Sequence, residues 1–164
     1  MTAQPDDGQH PPHTKIASLV QAYLAADYRW ELDGTWYPLV IGAQARELVE
    51  AFPQARSFGL LSAWNPHSIE RAEEKNRRED EALNAALHDS GLSYRAAFSS
   101  ARNRTWREPS WIVLDMPVDR FDALARRFDQ LATVHGTRGE PARLRVYHPP
   151  LELARGGQLV DWLR

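Results

Sequence analysis

The order of the predicted elements indicates an α+β fold, in which helices pack on a mostly antiparallel sheet. Between residues 57 and 135 the order is strand, helix, strand, strand, helix, strand, which is the split βαβ arrangement of ferredoxin-like folds. An N-terminal helix and a β-hairpin precede this core, and one more strand follows it. With 164 residues and 43% hydrophobic content, the chain has the size of a single domain with one core.

The segment before the core is predicted to form a helix, a hairpin and a second helix. Apolar residues recur at helical spacing in 16–24. Segments 28–32 and 36–41 are rich in aromatic and branched side chains, and Asp33 and Gly34 between them are a strong turn signal. A short helix is expected at 43–51, because Pro53 ends it.

The core begins with a nearly continuous apolar strand at 57–63, which predicts burial on both faces. A long helix at 68–89 follows, with Gly91 as its C-terminal cap. We then expect a strand at 92–98, a polar loop at 99–109 and a buried strand at 111–116. An apolar stripe at 121–131 predicts a helix, and strands at 132–135 and 143–147 complete the sheet.

The two ends of the chain are predicted to lie outside a single domain at 15–150. Residues 1–14 carry proline, glycine and aspartate without an apolar core, which indicates a disordered tail that is neither a signal peptide nor a membrane anchor. Residues 151–164 are apolar in their second half, so we expect this tail to dock. It docks either on its own domain or on a second copy, which leaves a homodimer open.

Composition favours a soluble, cytoplasmic protein without a cofactor. Cysteine is absent, so disulfides and thiolate metal sites are excluded, and the six histidines lack zinc-site spacing. No apolar run approaches the twenty or so residues that a membrane span needs. A net charge of -2 gives no general attraction to nucleic acid, and the basic loop 102–107 is interpreted as a solvated loop.

Two amides are expected to meet near the start of the long helix. Asn76 falls on the same side of that helix as Leu83 and Leu87, so it faces inward. A buried amide without a partner costs roughly 1–3 kcal/mol, and the nearest candidate partner is Asn65, in the turn before Pro66. A structural tie between strand and helix is the favoured interpretation, with ligand binding as the alternative.

Short motifs follow one another in order from about residue 16 to residue 147. They are Tyr23 and Tyr28; Ser-Ala-Trp-Asn-Pro at 62–66; Asn76 with Arg77 and Arg78; Trp106, Glu108 and Ser110; Phe128, Asp129, Gln130 and Ala132; and Ala142, Arg143 and Leu144. In this order and spacing the chain resembles the bacterial domain of unknown function family 3293, which usually has threonine in place of Ser62 and glycine in place of Asp129. The resemblance implies a shared fold and shared polar positions, and it implies no reaction.

Three functions are compatible with these residues. The first is binding of a small polar or nucleotide-like ligand in a pocket lined by Asn65, Asn76, Trp106, Glu108, Gln130 and Arg143, with Trp64 or Trp106 as a stacking face. The second is a hydrolase or transferase with Glu108 as general base. The third is an interaction module that uses a sheet edge and the apolar tail. For Glu108 itself, a surface ion pair with Arg104 or Arg107 is the favoured interpretation, ahead of a role as acid or base.

Overall fold

A computed structural model of the protein describes residues 13–101, 107–147 and 159–163. The elements follow one another as helix α1 (His13–Ala25), strands β1 (Asp27–Leu32) and β2 (Thr35–Leu39), helix α2 (Arg46–Ala51), strand β3 (Ser57–Leu61), a 3₁₀ helix (Pro66–Ser68), helix α3 (Glu73–Asp89), strands β4 (Tyr94–Ser100) and β5 (Arg107–Leu114), helix α4 (Val118–Arg127), and strands β6 (Ala132–Thr137), β7 (Arg143–Tyr147) and β8 (Val160–Leu163). Residues 1–12 of the predicted disordered tail lie outside the described residues, and α1 begins at His13.

All eight strands belong to one sheet with the order β2-β1-β4-β5-β3-β6-β7-β8. Every neighbouring pair is antiparallel except β7 and β8, which are parallel. The predicted mixed fold with a mostly antiparallel sheet is therefore confirmed. The eighth strand was not predicted, because four residues of the apolar tail gave no clear strand pattern. This strand pairs with β7 of the same chain, so that part of the tail docks on its own domain.

Helices cover both faces of the sheet. On one face, α1 and α2 contribute Ile16, Val20 and Leu48 to a cluster that includes Leu60 of β3. On the other face, α3 and α4 contribute Leu83, Leu87 and Phe121 to a cluster that includes the next strand residue, Leu61. Because side chains alternate along a strand, this division explains why residues 57–63 are almost continuously apolar.

Close packing between α4 and the sheet requires glycine in β3. A Cβ atom added to Gly59 would lie 2.3 Å from the ring of Phe121. No real Cβ contact is that short, and the Phe121 side chain is only 1% exposed, so it has little room to move. The absence of a side chain at residue 59 therefore sets the distance between α4 and the sheet.

Two element boundaries differ from the prediction, and each has a physical reason. The long helix begins at Glu73 rather than at residue 68, because the turn before it is held by side-chain hydrogen bonds from Asn65 and Asn76. Five of the eleven residues of the predicted loop 99–109 belong to strands, and Ser99 pairs with Glu108 and Ser100 with Arg107. These polar residues were interpreted as a loop because a strand facing a core is normally apolar there.

No helix among the described residues is long and apolar enough to cross a membrane.

Candidate functional site

A cavity of about 270 Å³ lies between α1 and the face of the sheet that α1 covers. Its apolar wall includes Leu19 of α1, Leu60 of β3 and Leu144 of β7. Its polar lining includes hydroxyl groups, two amides and one carboxyl group, from Tyr23, Tyr28, Ser62, Asn65, Ser68, Ser99, Ser100, Glu108, Ser110 and Gln130. The cavity therefore has an apolar body and a polar part rich in hydrogen-bonding groups.

The strand register places three polar side chains in one row across this face. Tyr28 of β1 lies opposite Ser99 of β4, and Ser99 lies opposite Glu108 of β5. Residues directly opposite one another in an antiparallel sheet share a face. The next row toward the interior contains Trp30, Ala97 and Ser110, so the polar row lies at the edge of the apolar core.

Glu108 is half-buried and lines the cavity. Burial raises the pKa of Glu108 from 4.5 to about 7, and a hydrogen bond with Ser62 opposes part of this rise. Among the residues that the structure describes, no arginine, lysine or histidine forms an ion pair with this carboxyl group. Because the Glu108 carboxyl group is desolvated and has no cation beside it among the described residues, it keeps its proton up to near-neutral pH.

The ion pair expected from the sequence as the alternative role of Glu108 is not formed with Arg107. The two residues are consecutive in β5 and therefore point to opposite faces of the sheet. The Arg107 guanidinium lies over the Phe98 ring, 4.5 Å from its centroid. Arg104, the other expected partner, lies outside the described residues.

Two tyrosines connect α1 to the polar side of the cavity. The Tyr28 hydroxyl donates a hydrogen bond to the backbone oxygen of Tyr23, at 2.6 Å, and the Tyr23 hydroxyl is hydrogen-bonded to the Ser68 hydroxyl. Burial, with a smaller contribution from the negative charge of Glu108, raises the pKa of Tyr23 well above its ordinary value. The pKa of Tyr28 is raised by burial and by both Tyr23 and Glu108. Both hydroxyl groups therefore stay protonated at neutral pH.

The two amides predicted to meet are joined by reciprocal hydrogen bonds. The Asn76 Nδ2 atom donates to Asn65 Oδ1 at 2.8 Å, and the Asn65 backbone N donates to Asn76 Oδ1 at 3.0 Å. Asn76 is only 2% exposed and lies behind Asn65, while Asn65 lines the cavity. Asn65 has a φ of 44°, a left-handed conformation that asparagine tolerates better than most residues.

Arg71 completes this network and was missed in the sequence. Its Nε atom donates to Asn76 Oδ1 at 2.6 Å, and its Nη2 atom donates to the backbone oxygen of Ala63 at 2.7 Å. Its backbone N also donates to Asn65 Oδ1 at 3.2 Å. One feature of the sequence could have identified it: Arg71 is the one arginine between the two amides, in residues 66–75.

Gln130, just after the end of α4, lines the cavity. Its Nε2 atom donates to the backbone oxygens of Trp64, at 3.1 Å, and Phe128, at 3.2 Å. The preceding Asp129 has a φ of 52°, which explains why glycine suits this position in the family that the sequence resembles. Gln130 therefore ties the end of α4 to the turn that carries Asn65.

The structure brings together three of the six residues predicted to form a pocket. Asn65, Glu108 and Gln130 line the cavity, and Asn76 supports Asn65 from behind. Arg143 lies next to Leu144, a lining residue, but its guanidinium is paired with Asp161 of β8, Nη2 to Oδ1, at 3.0 Å. Arg143 is therefore not part of the cavity lining.

Neither of the two predicted stacking residues is among the described residues that line the cavity. Trp106 lies outside the described residues. Trp64 is half-buried and is not among the described residues that line the cavity, and its backbone oxygen accepts the hydrogen bond from Gln130.

A second polar cluster lies on the opposite face of the sheet, where the sequence predicted none. The Arg145 Nη2 atom lies 2.6 Å from Asp122 Oδ2, and the Tyr147 hydroxyl donates to Asp122 Oδ1 at 2.7 Å. Thr133 is hydrogen-bonded to the same Tyr147 hydroxyl. This buried carboxylate is thus fully partnered, and the cluster ties α4 to β6 and β7.

Within the described ranges, no group of three histidine, aspartate or glutamate side chains is arranged to hold a metal ion.

The fold and this site define an α+β protein with a helix-covered, hydroxyl-rich cavity on one face of an antiparallel sheet. Residues 61–133 match the family model described as "Protein of unknown function (DUF3293)", so the family resemblance is confirmed over this segment. The segment includes Asn65, Asn76, Glu108 and Gln130, whereas α1 and β1 lie before it. The chain matches no curated protein and no solved structure.

Proposed function

We propose that the cavity binds a small polar molecule, with Asn65, Glu108 and Gln130 in contact with it. The observation that carries this proposal is the carboxyl group of Glu108 in a formed cavity, where it has no ion-pair partner among the described residues. Keeping such a group away from water destabilises the folded protein, and an apolar residue would avoid that cost. Buried, perturbed carboxyl groups in concave sites are typical of binding and catalytic positions.

The Asn65 side chain supplies a hydrogen-bond donor whose orientation is fixed by neighbouring residues. Its Oδ1 atom accepts from Arg71 N and from Asn76 Nδ2, which fixes the orientation of the amide. Its Nδ2 atom donates to no other described residue, although the side chain is only 6% exposed. A fixed donor at a cavity wall suits an acceptor oxygen or nitrogen of a ligand.

The size and charge of the cavity limit the range of possible ligands. A volume of about 270 Å³ lies just below the range of roughly 300–1,000 Å³ for pockets that hold drug-sized ligands. None of the described lining residues is lysine or arginine, so a phosphate group would have no counter-charge there. Of the nucleotide-like ligands expected from the sequence, the proposal therefore retains only those without phosphate.

The proposal also takes β3, α3, β4, β5, α4 and β6 as a ferredoxin-like split βαβ unit. This is supported by the antiparallel order β4-β5-β3-β6 and by the packing of α3 and α4 on the same face. A cytoplasmic location remains a proposal that rests on the absence of cysteine.

A two-dimensional NMR titration tests the binding function. The whole chain is titrated with millimolar nucleobases, nucleosides, amino acids and small amines, and shifts are expected in α1, β1 and the turn at Asn65. Glu108→Gln should weaken the response. Glu79→Gln should leave it unchanged, because Glu79 is also half-buried but lies on α3, against the other face. Shifts confined to α3 and α4, or no saturable shift with any compound, would refute the proposal.

An enzyme is the second candidate, because a carboxyl group with a pKa of about 7 can both accept and donate a proton at neutral pH. In that case Glu108 acts as general base of a hydrolase or transferase, and the Asn65 Nδ2 atom polarises the substrate. Glu108→Gln would then abolish turnover of a bound compound and keep its binding within a few-fold. Equal turnover by the wild type and by Glu108→Gln would exclude this role.

A further inference from the structure

We propose that the ligand carries a cationic amino group, and that this group pairs with the Glu108 carboxylate at the polar end of the cavity. The inference rests on the binding function proposed above and names the chemical class of the ligand. It follows from the charges of the lining, from the aromatic residues beside Glu108 and from the hydrogen-bonding groups around it.

Glu108 is the one acidic residue among the described lining residues, and that lining contains no aspartate, histidine, lysine or arginine. The other titratable groups there, Tyr23 and Tyr28, stay neutral. An ionised carboxylate in this place has no cation among the described lining residues to offset its desolvation. A ligand that brings a positive charge gains an ion pair that Glu108 does not form with any described residue.

The surroundings of Glu108 also suit an ammonium group. Tyr23 and Tyr28 line the same cavity, and their aromatic rings attract cations. An ammonium group has three N–H donors, so it needs acceptors besides the carboxylate. The Ser99 hydroxyl, directly opposite Glu108 in the sheet, and the Tyr28 oxygen in the same row can accept them. The apolar wall at Leu19, Leu60 and Leu144 suits a hydrocarbon body attached to the amine.

Proton exchange on binding distinguishes this ligand class from others. With a pKa of about 7, Glu108 is about half protonated at pH 7, so pairing with a cation releases roughly half a proton there. The release rises to about 0.9 proton at pH 6 and falls to about 0.1 at pH 8. A ligand that instead accepts a hydrogen bond from the protonated carboxyl group produces proton uptake. The sign of the exchange therefore identifies the partner of Glu108.

The test is titration calorimetry of the whole chain with matched probes at pH 6, 7 and 8, in two buffers with different ionisation enthalpies. The probes are phenethylamine, phenethyl alcohol and phenylacetate, and isoamylamine, isoamyl alcohol and isovalerate. Within each set the hydrocarbon skeleton is constant or nearly so, and only the polar group changes its charge. We expect at least one amine to bind at least tenfold more tightly than its alcohol and carboxylate counterparts, with proton release that decreases from pH 6 to pH 8.

The variants separate this inference from the binding function itself. Glu108→Gln should reduce amine affinity at least tenfold and abolish the proton release, and Glu79→Gln should change neither. An alcohol or carboxylate that binds as tightly as its amine counterpart, or proton uptake on amine binding, would overturn the inference and leave the binding function standing. Binding of no probe here, together with no response in the metabolite titration, would overturn both.

Discussion

Replacing Glu108 with glutamine should stabilise the folded protein, and the gain should depend on pH. Glutamine has nearly the same shape as glutamate, but it cannot ionise. In the wild type, the folded state holds the Glu108 proton up to a pKa of about 7, whereas the unfolded chain releases it near 4.5. The unfolded state is therefore favoured by deprotonation as the pH rises from about 4.5 to about 7.

The size of the effect follows from the difference between these two values. Fully expressed, the difference corresponds to about 3 kcal/mol at pH 8. Since Glu108 is half-buried rather than fully enclosed, we expect Glu108→Gln to raise the free energy of unfolding by about 1–3 kcal/mol at pH 8. At pH 4 both states of the wild type are protonated at this position, so the two proteins should have nearly equal stability.

The assay is urea denaturation of wild type and Glu108→Gln at pH 4, 6 and 8, monitored by tryptophan fluorescence. The control is Glu79→Gln, which should track the wild type at every pH. A Glu108→Gln variant that is equally or less stable than wild type at pH 8 would refute the argument that this carboxyl group is desolvated in the cavity.

Three further substitutions test the packing around the site by the same denaturation assay. Asn76→Ala removes the side-chain hydrogen bonds to Asn65 and Arg71 in the preceding turn and should cost about 1–3 kcal/mol; an unchanged midpoint would contradict the network. Gly59→Ala should cost about 1–3 kcal/mol, because its Cβ meets the Phe121 ring, and neutrality would show that α4 can shift freely. Asp122→Ala leaves the buried Arg145 with only the Asp161 carboxylate, 3.9 Å from its Nη1 atom, and should cost about 3 kcal/mol; a loss below about 1 kcal/mol would mean that the pair is solvated.

Much of the sheet could be predicted, because its signals are local. The turn at Asp33 and Gly34, the apolar strand that begins at Ser57 and the helical stripe that includes Phe121 each depend on neighbouring residues alone. Strand β8 could not be predicted, since its four residues become a strand only by pairing with β7. The finer ferredoxin-like assignment remains a prediction.

The amide pair was predictable and the cavity was not. Helical spacing placed Asn76 inward, and the nearest turn supplied Asn65 as its partner. The row of Tyr28, Ser99 and Glu108 instead depends on the register between β4 and β5 and on the pairing of β4 with β1, which is distant in sequence. Only the assembled sheet shows that these polar residues share one face beneath α1, which is why Ser99 and Glu108 are predicted in a loop from the sequence.

The ionisation of Glu108 in the folded protein is the measurement on which the account of this site depends. Carbon-13 NMR of a glutamate-labelled sample, with the resonance assigned by its loss in Glu108→Gln, reports the pKa of that carboxyl group alone. We expect a midpoint near pH 7, and a decrease when an amine that passes the calorimetric test is added. A midpoint close to 4.5, unaffected by any bound amine, would show that Glu108 faces water and that the proposed site does not exist.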